Sequence, residues 1–220
     1  TDPEAAWRAP VVLLAVKPQQ LPALAQTLTA LEPAAAAAEV AGARRLLISV
    51  LAGVSLSRLQ GLFPTSVCVR AVPNTPALVR AGLTALAWGE GIEPSRQAWV
   101  RALFARVGEV MELPETQLDA FLALTSSGPA FVALVAEAMA DGAVAAGLPV
   151  DLARHLAHRT LAGTSALLEQ RQLHPGQLKD MVASPGGTTV AGLRQLERAG
   201  LRSALLEAVL AAAERSRALG

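Results

Sequence analysis

Three short, largely apolar runs constrain this fold most: Val11-Val12-Leu13-Leu14-Ala15-Val16, Leu46-Leu47-Ile48-Ser49-Val50 and Ser66-Val67-Cys68-Val69-Arg70-Ala71-Val72. A strand with one wet face alternates polar and apolar residues. These runs do not, so they fit parallel strands covered on both faces. Helical patterns separate them: Leu21 to Leu31 with leucines at 21, 24, 28 and 31, an Ala-rich stretch from Ala34 to Arg44, and a short one from Ser55 to Gln60. A fourth strand is expected over Leu83 to Trp88, an amphipathic helix over Pro94 to Val107, and a last strand over Glu109 to Leu113. Strands alternating with helices predict an α/β sheet of the doubly wound type.

After Pro114 the strand pattern stops. Helices are expected over 116–125, 129–146, 150–171, 176–183, 188–199 and 201–218, with Pro129 in a first turn behind Ser126 and Ser127. The expectation is therefore a nucleotide-binding α/β domain over 1–113 and an all-α domain over 114–220. The later helices carry Ala and Leu on more than one face, as buried or oligomeric helices do.

Composition narrows the function. With 52% hydrophobic and 17% charged residues in 220, the chain can bury a real core. Net charge is +1 and no block of like charge appears, which argues against nucleic acid as a partner. The single cysteine, Cys68, rules out an intrachain disulfide framework and fits a reducing, cytoplasmic setting. Three scattered histidines leave little for a metal site. Mean hydropathy is +0.40, and Phe131 to Val150 is long enough to span a bilayer. Glu137, Asp141, Gly142, Gly147 and Pro149 interrupt it, so a helix in a subunit interface is the better reading than a membrane span. Among 19 basic residues only Lys17 and Lys179 are lysines, beside 46 alanines, a composition typical of G+C-rich coding. Lysines kept against that bias suggest positions that need one.

In open α/β sheets, ligands bind beyond the carboxyl ends of the strands. Three such ends carry unusual residues: Ala15-Val16-Lys17-Pro18, Val50-Leu51-Ala52-Gly53 and Val72-Pro73-Asn74-Thr75-Pro76. Pro and Gly can simply stop strands. Together on one rim, small residues would let a flat ligand lie against backbone, and a lysine could meet a phosphate. In the helical half, Ser184-Pro185-Gly186-Gly187-Thr188-Thr189 joins two helices. It is either a plain connection with threonine as cap or an anion site, made from free amides at a helix start and the hydroxyls of Thr188 and Thr189.

This segment resembles the signature of the pyrroline-5-carboxylate reductase family. The match runs from Pro175 through Leu178, Val182-Ala183-Ser184, Gly186-Gly187, Thr189, Gly192-Leu193 and Leu196-Glu197. Ala15-Val16-Lys17-Pro18, Ala52-Gly53, Arg70-Ala71-Val72-Pro73-Asn74-Thr75-Pro76, Ser127-Gly128-Pro129-Ala130-Phe131 and Asp141-Gly142-Ala143 resemble further family motifs, in family order. Both lysines fall inside such motifs. The resemblance implies a Rossmann-like domain followed by an all-α dimerisation domain, giving a homodimer or an assembly of dimers. It implies reduction of L-1-pyrroline-5-carboxylate to L-proline by NADPH or NADH. It places Ala15, Val16, Lys17, Pro18, Val50, Leu51, Ala52, Asn74 and Met181 with the dinucleotide. Ser184, Gly186, Gly187, Thr188 and Thr189 would hold the substrate, with the Thr189 hydroxyl on the imine nitrogen.

The chemistry suits such a site. The cofactor donates the hydride, so the protein must position and polarise. A cyclic imine can arrive protonated, which removes the need for a strong catalytic acid. One departure stands out. The family opens on a strand and a Gly-x-Gly-x-x-(Gly/Ala) turn, and no such pattern opens this chain. By analogy the sequence reads as lacking its first strand, glycine turn and helix, roughly 50–60 residues.

Two rival functions share parts of this pattern. A β-hydroxyacid-dehydrogenase-like enzyme would need a lysine early in the helical half, and Leu118 to Phe131 has none. A non-enzymatic dimerisation fragment is the other. Among remaining candidates, the Glu137/Asp141 and His155/His158 pairs lack further ligands for a metal, and His174 lies near the substrate loop. Trp7, Trp88 and Trp99 read as packing residues.

Overall fold

The computed structural model describes residues 3–30 and 44–219. The helix expected over Ala34 to Arg44 lies almost wholly outside them. By packing, the chain forms two compact units, Thr1–Ser127 with Val209–Gly220, and Gly128–Ala208.

The first unit holds one five-stranded sheet in the order β1-β2-β3-β4-β5. Its strands are β1 (Val11–Leu14), β2 (Arg45–Ser49), β3 (Ser66–Pro73), β4 (Gly82–Trp88) and β5 (Gly108–Glu112). The three apolar runs are neighbouring parallel strands, as their composition requires. β4 runs antiparallel to β3, and β5 follows β4 in parallel. The reversal has a physical cause. Only Asn74–Ala81 links β3 to β4, with a 3-10 turn at Thr75–Val79, and a parallel crossover needs a dozen residues or more.

Helices cover both faces of the sheet. A short α1 (Pro3–Trp7), which the sequence pattern did not suggest, precedes β1. α2 (Leu21–Ala30) and α3 (Leu56–Leu62) follow β1 and β2, and α4 (Pro94–Phe104) links β4 to β5. Ser55 caps α3 by accepting the Arg58 N–H at 3.2 Å. One face buries Leu47, Leu51, Leu59, Phe63, Cys68 and Val72 with Trp7, and the other buries Ile48, Val69, Leu86 and Val100. Trp7 stacks at a tilt on Phe63, with centroids 5.2 Å apart. Trp88 is half-buried and donates to Glu112 at 2.9 Å, whereas Trp99 is exposed, so only Trp7 is wholly a packing residue. Burial raises the Cys68 thiol to about 11, which keeps it protonated and inert. β4 and β5 start with Gly82 in register with Gly108, at a close backbone approach. A Cβ on Gly108, at φ +151°, would collide with the Gly82 backbone.

After a 3-10 turn at Glu115–Gln117, α5 (Leu118–Thr125) packs Leu118 and Phe121 into the first core. The second unit contains α6 (Gly128–Ala145), α7 (Val150–Arg171), α8 (Pro175–Met181), α9 (Thr188–Arg198) and the start of α10 (Leu201–Arg217). α6 and α7 pack on Ala140, Ala153 and Ala157, whose small side chains let the helices approach closely. The end of α10 belongs to the first unit, where Ser216 donates to Asp119 on α5 at 2.6 Å.

The stretch Glu115–Ala145 is long and apolar enough to cross a membrane by length and composition. It is not one continuous helix, because α5 ends at Thr125 before α6 starts at Gly128.

Candidate active site

β1, β2 and β3 are adjacent and parallel, so their carboxyl ends emerge on one rim of the sheet. This brings Ala15-Val16-Lys17-Pro18, Val50-Leu51-Ala52 and Asn74 to a common edge. The first segment leaves β1 exposed at Ala15 and turns at Lys17. Pro18 opens a 3-10 turn, the Lys17 N–H donates to Gln20 Oε1 at 3.0 Å, and the Gln20 N–H returns to the Lys17 carbonyl at 2.9 Å. The backbone at Lys17 is thereby fixed while its side chain stays exposed. The second segment is tied to the first by the Val50 N–H on the Leu14 carbonyl at 3.1 Å. Leu51 is buried, and Val50 and Ala52 are half-buried.

Asn74 is held differently. Its Oδ1 accepts the Leu83 N–H at 2.8 Å and its Nδ2 donates to the Thr125 carbonyl at 3.0 Å. The side chain thus fastens the β3–β4 turn to the end of α5. Its amide is largely engaged, and its backbone remains at the rim.

These residues fit a dinucleotide. The rim offers small side chains, backbone at the surface and one exposed ammonium. A cavity of about 290 Å³ beside β1 reaches Ala15 and Val16, with Val12, Leu14 and Leu24 in its wall.

The second unit presents the other residues. α8 begins at Pro175 with His174 as its cap: His174 Nδ1 accepts the Gly176 N–H at 3.1 Å. That ring nitrogen is occupied, so His174 shapes the helix start. Lys179 lies 3.6 Å from Asp180, and Met181 is 68% exposed at the end of α8. The chain then turns tightly. The Gly187 N–H donates to the Ser184 carbonyl at 3.0 Å, and Gly186 takes φ +68°. A Cβ on Gly187 would press on Ser184 Oγ, which can rotate away, so the turn itself requires glycine at 186.

Gly187 is the cap residue of α9, and no side chain caps that helix. The first bond inside α9 joins the Ala191 N–H to the Gly187 carbonyl. The amides of Thr188, Thr189 and Val190 therefore have no partner within the helix. Three donors and the positive end of an 11-residue helix lie where Ser184, Thr188 and Thr189 add hydroxyls. Such an arrangement holds a carboxylate and leaves a hydroxyl for a neighbouring ring atom. A cavity of about 360 Å³ lies elsewhere in this unit, between Leu193, Leu196, Leu201 and Leu205, under Glu197 and Arg202, and no loop residue lines it.

The Glu137/Asp141 and His155/His158 pairs are exposed on α6 and α7. Among the described residues, no three His, Cys, Asp or Glu side chains come together as a metal site would require. Sequence reasoning gave no separate role to Arg70 and Glu115, a pair in which a buried guanidinium meets a half-buried carboxylate. The signal was present: one charge inside an otherwise apolar strand.

Comparison with known proteins follows the same residues. The model of the pyrroline-5-carboxylate reductase dimerisation family matches residues 115–219. The pyrroline-5-carboxylate reductase of Synechocystis sp. is 50% identical over 218 residues, covering 99% of this chain and 78% of that protein. The Thermus thermophilus enzyme of the same name is 45% identical over 210 residues, covering 95% and 75%. A crystal structure of the Plasmodium falciparum pyrroline carboxylate reductase with NADP bound superposes with a TM-score of 0.90 at 28% identity, covering all of this chain and 81% of that one. With half of its residues shared across nearly its whole length, and with the loop and strand-end motifs in place, this chain belongs to the pyrroline-5-carboxylate reductase family.

Proposed function

We propose that this chain reduces L-1-pyrroline-5-carboxylate to L-proline, the last step of proline synthesis, with NADPH or NADH as reductant. The reading is carried by the Ser184–Thr189 turn, where three unpaired amides and a threonine hydroxyl lie at one helix start. The bound nicotinamide supplies the hydride to the carbon of the C=N bond, and a proton completes the nitrogen. The chain's own work is to hold and orient. The amides of Thr188, Thr189 and Val190 bind the carboxylate, which fixes the ring. Ser184, Gly186 and Gly187, whose own N–H is spent on the Ser184 carbonyl, shape that pocket. The Thr189 hydroxyl meets the ring nitrogen and holds it in the reactive orientation. Ala15, Val16, Pro18, Val50, Leu51, Ala52 and the Asn74 backbone provide the dinucleotide surface, Lys17 meets a phosphate, and Met181 packs on the nicotinamide.

Residues 1–113 are assigned to the dinucleotide, and 114–220 to assembly and the substrate loop. The dimerisation-family match over 115–219 supports the second assignment. The cellular site is the cytoplasm. Mixing the chain with NADPH and pyrroline-5-carboxylate and following proline formation tests the reading. Formation of no proline at saturating concentrations of both overturns it.

The assembly is a homodimer, or a higher assembly of dimers, built on the helices of the second unit. Leu134 is 65% exposed on α6, and Val132, Leu152 and Leu156 are also exposed. Large exposed apolar side chains on neighbouring helices are what a subunit interface covers. Sedimentation is expected to give a dimer at micromolar concentration, and Leu134→Asp to shift it towards monomer. A folded monomer before substitution would refute this assembly.

A further inference from the structure

β3 is buried along nearly its whole length, yet it carries a charge in its middle. The Arg70 side chain is only 7% exposed. By strand alternation it shares the sheet face of Cys68 and Val72, inside the first core. Its Nη1 donates to Glu115 Oε1 at 2.8 Å, and its Nε is buried with no partner among the described residues. The same Glu115 oxygen accepts the Leu56 N–H at 2.7 Å. Leu56 is the first residue of α3, so its amide has no partner inside the helix. Glu115 therefore bridges a buried cation to the far end of the Val50–Ser55 loop.

The near end of that loop is anchored on the sheet. The Val50 N–H reaches the Leu14 carbonyl, and the Leu51 N–H donates to Ser49 Oγ at 3.3 Å. Ser49 is the register partner of Arg70. Both anchors thus rise from neighbouring positions on adjacent strands beneath one loop. Between them Gly53 turns the chain at φ +73°. An ion pair whose cation is buried is a poor source of stability, because the cost of desolvating that cation offsets much of the attraction. What it does here is fix where the Glu115 carboxylate points.

We infer that Arg70 and Glu115 are positioning residues for the dinucleotide: the pair sets the conformation of the Val50–Ser55 loop and, through it, cofactor affinity. This rests on the reading of Val50, Leu51 and Ala52 as dinucleotide contacts.

Two substitutions at one position separate positioning from stability. Glu115→Gln and Glu115→Ala both leave Arg70 without a counter-charge, so both lower the melting temperature. Only Glu115→Gln keeps an oxygen that can accept the Leu56 N–H. Calorimetric titration of the chain with NADPH is expected to show roughly 5- to 10-fold weaker binding for Glu115→Ala, and a change within about twofold for Glu115→Gln. Amide exchange over Val50–Leu56 is expected to rise in the alanine variant alone. Equal weakening in both variants, or in neither, overturns the inference. If Glu115→Ala does not fold, Arg70→Lys takes its place, keeping the charge but not the planar fork. A roughly two- to threefold weaker NADPH affinity is then expected, and an unchanged one overturns the inference. Ala52→Asp tests the underlying reading. A carboxylate in this loop weakens NADPH binding at least tenfold if the loop meets the dinucleotide. Unchanged affinity there removes the dinucleotide reading, and the amide-exchange comparison still decides whether the pair sets the loop.

Discussion

Replacing Thr189 by valine is expected to lower turnover roughly 2- to 150-fold while leaving NADPH affinity nearly unchanged. Valine keeps the branching and volume of threonine and removes only the hydroxyl. Thr189 is half-buried in the first turn of α9, so its neighbours still pack. The carboxylate-binding amides belong to the backbone and survive the change. What is lost is one hydrogen bond to the ring nitrogen, worth about 0.5–1.5 kcal/mol net, or up to about 3 kcal/mol if that nitrogen is charged. Each 1.36 kcal/mol or so is tenfold in rate, which sets the range. Steady-state kinetics with both substrates varied decides it. Full turnover and full substrate affinity in the variant would remove Thr189 from the site.

The largest stability effect is expected at Gly108. Gly108→Val places a branched side chain where Gly82 backbone already stands, at a φ that favours glycine. A flexible side chain could move aside, but a paired strand cannot. The cost is about 3 kcal/mol or more, from overpacking and backbone strain together. For a chain of this size that lowers the melting point by about 6–12 °C. Thermal unfolding followed by circular dichroism checks it. A drop of under about 2 °C would mean that β4 and β5 do not approach as closely as described.

Much of this architecture was legible because it rests on local signals. Val11–Leu14 and Leu46–Ile48 are apolar without alternation, and that alone made them parallel strands; β2 is covered on both faces as expected, whereas β1 stands at the sheet edge with Leu13 exposed. Pro94 and Pro129 marked helix starts, and both stand in first turns. The Ser184–Thr189 turn was legible because two glycines and a helix start leave few other geometries. The reversal of β4 was missed, although its connection is too short for a crossover, because a strand's composition says nothing of its direction. The engagement of Asn74 with Leu83 and Thr125 joins residues far apart in the chain, and no local pattern encodes that. Arg70 and Glu115 are 45 residues apart. Their pairing emerges only when the segment after β5 passes over β3.

The return of Val209–Gly220 to the first unit changes what a cut or a truncation would do. The second unit is entered at Ser127–Gly128 and left at Ala208–Val209, so it is an insertion with two covalent stems. A protease that nicks the Ser127–Gly128 stem leaves the second unit covalently joined only to 209–220, so the two fragments stay together only through the packing of that helix end in the first unit. The sheet unit cannot be isolated by a stop codon after Ser127. That truncation strips away the helix end bearing Ala213 and Ser216, and leaves the Asp119 carboxylate without its hydroxyl donor. A faithful excision would join Ser127 to Val209 through a designed linker and keep the last twelve residues.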